Sequence, residues 1–169
     1  AQHAAFVPEL LERAHEQRLL TSFDCNFLAK LWQRWQSDAA TCFRQCAQQA
    51  RVMFADARSL GLILGSDKAS EIPSSAFAEL SARALQQFTQ LEYIACTERI
   101  ELSATHHRLG AKLRSREHLH ELEPLDIQPI VDRIGTGDAF AAGLLHGLLD
   151  VVDIVGHAGH DPADRYPVV

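Results

Sequence analysis

The sequence predicts an α/β fold built on a mainly parallel sheet, and two patterns carry that prediction. Short apolar runs, "LLTSF" (19–23), "RVMFA" (51–55) and "LEYIAC" (91–96), read as strands buried on both faces. Between them lie segments whose apolar residues recur at helical spacing, so helix and strand alternate along the chain. The balance of 47% hydrophobic and 22% charged residues is that of an ordinary globular protein.

The elements follow in order. Val7, Leu10, Leu11 and Ala14 predict an amphipathic helix over 7–18, leading into the strand 19–23 that ends at Asp24. Ala39, Phe43, Cys46, Ala47 and Ala50 mark the core face of the next helix, ahead of the strand 51–55. "DARSLGLILG" predicts a short helix stopped by Gly65, the residue type that best tolerates a helix C-terminus. Pro73 and Ser74 open another helix, with Phe77, Leu80, Ala84, Leu85 and Phe88 facing the core. After the strand 91–96 the pattern changes: "HRLGAKL" (107–113) alternates and, with 117–122, predicts an antiparallel excursion. "DIQPIV" is extended, and a helix begins near Gly137 or Asp138 with Phe140, Gly143, Leu144, Gly147 and Leu148 on one face. From 150 to 169 helical periodicity fades into a stretch rich in His, Gly, Asp and Pro.

Several classes are disfavoured. A formal net charge of −6 without a basic block gives nucleic-acid binding little support. No apolar run approaches the roughly 20 residues of a membrane helix, and the first turn lacks the order of a signal peptide. Four scattered cysteines without a CxxC pair read as reduced, buried thiols of a cytoplasmic protein. Residue 1 is not methionine and the first helix has no strand before it, so the expectation is one portion of a larger fold.

"VDRIGTGDAFAAGLLHGLL" (131–149) holds the chemistry. Unpaired N–H groups at the start of its helix, with the positive end of the helix dipole, attract anions. Gly135 and Gly137 lack Cβ, so the backbone around Thr136 can close on a phosphate oxygen, with Asp138 placed beside it to accept a proton. Phosphoryl transfer needs both features. A capped helix with a glycine loop is the plainer alternative.

The longer string "DRIGTGDAFAAGLLHGL" resembles the C-terminal signature of the ribokinase-like (PfkB) sugar kinases, a DTxGAGD run followed by a helix with an F-x-x-G pattern. Its Arg-Ile form looks most like the 2-keto-3-deoxygluconate kinase branch. "FDCNFLAKLW" (23–32) resembles the family's D-x-N-x-R-x-x-x-W segment, and "CTERIELSATHHRLGA" is similar to the segment leading into the nucleotide site. The resemblance spans about residues 7 to 149, roughly half of a family member.

That resemblance implies a ribokinase-like three-layer α/β/α sandwich, incomplete, with the N-terminal half and its lid missing. Residues 1–149 would be the C-terminal portion of the kinase domain and 150–169 a divergent tail. It implies transfer of the ATP γ-phosphate to a sugar-acid hydroxyl, with Mg²⁺ and with K⁺ as a further candidate. Asp138 would be the base, and Gly135, Thr136 and Gly137 the anion hole. Asp24 and Asn26 would line the phosphate and Mg²⁺ region. Arg99 and Ser103 would be nucleotide contacts, either of which could equally be a solvated side chain. Asp132 matches a position associated with monovalent cations, closing a loop being the alternative.

The departures are specific. Leu28 stands where the family has Arg, Thr136 where it usually has Ala, and "ARSLGL" follows Asp56 where an Asn-x-x-Glu motif is expected. The alternative function is therefore a non-catalytic fragment or degenerate homologue that binds at most a nucleotide or a partner, with homo-oligomer formation open. Of the nine histidines, His106, His107, His118, His120, His157 and His160 invite a metal, but no motif supplies a third and fourth ligand. Cys42 and Cys46 read as core, and Trp32 and Trp35 as packing anchors.

Overall fold

A computed structural model describes residues 2–28, 30, 32, 34, 38–132 and 134–156. Helix α1 (Gln2–Glu16) starts ahead of the expected Val7 and carries Pro8 inside it. It ends in a Schellman motif: Leu19 N–H donates to Ala14 O at 3.0 Å and Arg18 N–H to His15 O at 2.9 Å, with Arg18 at φ 58°. Strand β1 (Ser22–Asp24) is shorter than the apolar run that predicts it. Helix α2 (Ala39–Gln49) is capped by Asp38, whose carboxylate accepts from Ala40 N–H and the Thr41 hydroxyl.

Strand β2 (Val52–Phe54) and helix α3 (Ala57–Ile63) follow. Asp56 caps α3 by accepting from Ser59 N–H at 2.8 Å. Gly65, at φ 88°, closes it: Ser66 N–H reaches Gly61 O at 2.8 Å and Gly65 N–H reaches Leu62 O at 3.1 Å. The expected glycine stop is thus a second Schellman motif. A 3₁₀ turn over Ser74–Ala76 leads into α4 (Phe77–Gln87).

Strands β3 (Tyr93–Ser103), β4 (His106–Arg114) and β5 (Leu119–Ile127) complete a sheet of order β1-β2-β3-β4-β5 among the described residues. β1, β2 and the start of β3 are parallel, with Ser22 opposite Val52 and Met53 opposite Ile94. β3, β4 and β5 are joined by loops too short for a parallel crossover, so they form the expected antiparallel excursion. Two limits shift. β3 continues past Cys96 to Ser103, and β5 merges the 117–122 strand with the start of "DIQPIV". Pro124 is accommodated because β5 is an edge strand, where a missing N–H need not break a ladder bond. Helix α5 (Thr136–Gly156) runs on past residue 150, where fading periodicity had predicted its end.

The chain divides into two units: Ala1–Glu98 with Gly110–Leu125, and Arg99–Leu109 with Asp126–Val169. The first holds the core. Val52, Met53 and Phe54 are all buried, and since successive strand residues point to opposite faces, both faces of β2 are covered. Phe43, Leu60, Ile63, Phe77, Leu85, Leu91 and Ile94 form the main cluster. Cys42 and Cys46 pack with Leu11 in a second, as the core reading expects. Trp32 stacks edge-on against Phe43 at 5.3 Å, an anchor as predicted, while Trp35 lies outside the described residues. Cys25, Cys42 and Cys46 are buried free thiols, and Cys96 is half-buried rather than buried. Burial pushes the Cys46 and Cys96 thiols up to about 12, so neither is a ready nucleophile.

Arg116, in the β4–β5 loop, donates to Leu85 O at 3.0 Å and to Thr89 O and Leu91 O, both at 2.7 Å. A cation at the end of α4 also complements the helix dipole. Arg116→Ala is expected to lower unfolding free energy by about 1–3 kcal/mol, read as a lower urea midpoint at unchanged m-value.

Candidate phosphate-binding and catalytic site

The second unit contains the start of α5. Gly135 has φ 79°, a left-handed conformation that glycine adopts without strain, and its carbonyl accepts from Ala139 N–H at 2.9 Å. Gly135 is therefore the residue that caps α5. Thr136, Gly137 and Asp138 occupy the first turn, where backbone N–H groups have no partner within the helix. All are exposed. A Cβ built on Gly137 would meet nothing within 4 Å among the described residues. No described residue requires a glycine there, so the missing side chain leaves the backbone approachable from the described residues' side.

The Asp138 carboxylate has no hydrogen-bond or ion-pair partner among the described residues. Asp132 Oδ1 accepts from Ile134 N–H at 2.9 Å, a local turn that suits the loop-closing reading. Arg99, on β3, donates from Nη2 to Thr136 Oγ1 at 3.1 Å. Sequence reasoning named both residues but not their pairing, since a separation of 37 positions leaves no local signal. Ser103 is exposed at the end of β3, and its side chain bonds to no described residue.

Asp24 and Asn26 belong to the first unit and are exposed, Asp24 as the last residue of β1 and Asn26 two positions on. Cys25 between them is buried, and its N–H donates to Phe54 O at 2.9 Å, which fixes the chain beside β2. Burial, then the charge of Asp24, pushes the Cys25 thiol well up. Asp56 lies just past β2, so carboxylates sit at the C-terminal ends of two adjacent parallel strands, where open α/β sheets bind ligands. Sequence reasoning missed Lys112, which bridges Glu98 at 3.3 Å and Glu121 at 3.4 Å in the same unit. Burial pulls its ammonium down, but the two carboxylates outweigh that and hold it above its ordinary range.

The described histidines that invite a metal do not converge. His106 Nε2 lies 2.7 Å from Asp126, His107 is buried 3.9 Å from Glu101, and the His118 and His120 rings are 6.0 Å apart. Among the described residues no three His, Cys, Asp or Glu side chains are grouped to hold a metal ion. His157 and His160 lie outside those residues.

Residues 4–161 match the pfkB family of carbohydrate kinases. The chain belongs to this family. No curated protein sequence matches it significantly. Among solved structures it is similar to a PfkB family carbohydrate kinase from Listeria grayi, at 28% identity and a TM-score of 0.73, over 87% of this chain and 43% of that one. It is also similar to a candidate 2-keto-3-deoxygluconate kinase from Enterococcus faecalis, at 26% identity and a TM-score of 0.70, over 85% of this chain and 42% of that one. For 2-dehydro-3-deoxygluconokinase from Thermotoga maritima the values are 23% and 0.74, over 90% and 45%, a likeness of fold. The pfkB chain thus spans less than half the length of these relatives, and its α/β architecture is the ribokinase-like one expected. The match continues to residue 161, beyond the start of the expected tail. No helix of the described residues is long and apolar enough to cross a membrane.

Proposed function

We propose that this chain carries the phosphate-binding and proton-accepting part of a cytoplasmic, ATP-dependent sugar-acid kinase acting on 2-keto-3-deoxygluconate. The observation that carries the reading is the start of α5: a left-handed glycine cap, with a Gly137 unobstructed and an Asp138 unpaired among the described residues. The likeness to the Enterococcus faecalis protein supports the choice of substrate.

The N–H groups of Thr136, Gly137 and Asp138 would hold the transferred phosphoryl oxygens, adding the partial positive charge of the helix. Asp138 would accept the proton of the attacking hydroxyl, and the oxygen would displace ADP in line. Bound Mg²⁺ would neutralise polyphosphate charge. By the family resemblance, the Asp24 carboxylate and the Asn26 side-chain carbonyl would be protein oxygen ligands of that ion. No step is assigned to a monovalent cation at Asp132.

A second reading is favoured by one observation: no residue of α5 from Thr136 to Asp150 is fully buried, although Phe140, Leu144 and Leu148 are apolar. On that reading the chain alone binds nucleotide or a partner without turnover. Transfer of labelled phosphate from Mg-ATP to 2-keto-3-deoxygluconate separates the two, product formation by the 169-residue chain ruling out the second. Gly137→Ala tests the cradle. Thermal stability is expected to hold or rise by up to about 1 kcal/mol, since alanine favours a helix. Mg-ATP affinity is expected to fall at least about tenfold as the methyl group meets the phosphate.

A further inference from the structure

The hydrogen bond from Arg99 to Thr136 places a guanidinium at the wrong end of a helix. Cations are favoured at helix C-termini, and at an N-terminus they face the positive end of the dipole. Thr136 is the first residue of α5, so Arg99 stands where the helix already carries excess positive charge. No described carboxylate lies within ion-pair distance of Arg99. Other arginines of the chain are placed differently: Arg51 is paired with Glu92 at 2.7 Å, Arg83 with Glu79 at 3.9 Å, and Arg116 sits at a helix C-terminus. A guanidinium offers five N–H donors, and the Thr136 bond accounts for one. A planar, permanently charged fork with donors to spare, held at the positive end of a helix, is suited to a phosphoryl oxygen.

We propose that Arg99 is a ligand of the terminal phosphoryl group of a polyphosphate at the start of α5, and that Thr136 is the positioning residue that holds it there. The assignment rests on the reading of this turn as the phosphate cradle and adds its source of full charge. Backbone N–H groups supply shape and partial charge, whereas Arg99 supplies a unit charge that answers the accumulation of negative charge on the transferred group. Thr136 then has a role that its backbone alone would not give it: its hydroxyl oxygen accepts from Arg99 and fixes the direction of the fork.

The test is calorimetric titration of the 169-residue chain and three variants with inorganic triphosphate, Mg-ATP and Mg-ADP. Arg99→Ala is expected to weaken triphosphate and Mg-ATP roughly tenfold to a hundredfold, the effect of losing one charge-assisted bond, and Mg-ADP by less than about threefold. Thr136→Ala should weaken Mg-ATP by about threefold to tenfold, and Thr136→Ser, which keeps the oxygen, should restore it to within about twofold. Circular dichroism checks that each variant is folded. Equal losses for Mg-ATP and Mg-ADP would overturn the assignment to the terminal group. Unchanged Mg-ATP affinity in Arg99→Ala, with Gly137→Ala still weakened, would overturn the role of Arg99 and leave the cradle standing. No binding of any probe to the unaltered chain would overturn both.

Discussion

Replacing Asp138 with asparagine is expected to slow phosphoryl transfer from Mg-ATP to 2-keto-3-deoxygluconate by about 10²–10⁴-fold in a single turnover, the usual contribution of a positioned general base. Asparagine keeps the size of the side chain but cannot take up the proton. Mg-ATP affinity should hold or rise, because a carboxylate beside polyphosphate is a repulsive neighbour. A small loss of melting temperature is also expected, since an acidic residue in the first turn is worth about 0.3–1 kcal/mol against the helix dipole. Rapid-quench assays read the first effect and titration the second. An unchanged rate would remove Asp138 from the mechanism.

The largest stability effect is expected at Phe77. This side chain is 1% exposed and packs in the main cluster at the start of α4. Phe77→Ala removes a buried ring and leaves a cavity that close-packed neighbours fill incompletely, at a cost of about 3–5 kcal/mol. Against a typical total of about 5–15 kcal/mol, that loss brings the fold near its limit. Ile134 gives the contrast: it is 92% exposed, and Ile134→Ala should change stability by less than about 0.5 kcal/mol. Urea unfolding of the pair measures the difference, and equal midpoints would contradict the described core.

The part of the fold that could be read from sequence is the part whose burial leaves a pattern. "RVMFA" and "LEYIAC" announce β2 and the start of β3 because strands covered on both faces are apolar throughout. Gly65 and Phe77 announce a helix end and a core face for equally local reasons. The antiparallel arm was legible as an excursion but not in extent. Ile100 and Leu102 are exposed on β3, Leu122 and Leu125 on β5, so no burial contrast marks where those strands stop. Pro124 lies inside β5, where an edge strand tolerates it. At 150–156 the helix outlasts its periodicity.

The candidate site divides the same way. Gly135, Gly137 and Asp138 were legible because a capping glycine and a first-turn acid leave a contiguous string. Arg99 could be named only as a nucleotide contact that could equally be a solvated side chain. Its meeting with Thr136 is made by the fold, which carries β3 alongside the start of α5 within one unit. Asp56 offered a departure from a family motif, and the structure gives it the work of capping α3.

The central claim is that the start of α5 binds the phosphates of ATP. Its most direct measurement is calorimetric titration of the unaltered chain with Mg-ATP, beside Gly137→Ala. Saturable binding with one site per chain, weakened at least about tenfold by the added methyl group, is the predicted result. Binding that Gly137→Ala leaves unchanged, or no binding to the unaltered chain, would contradict it.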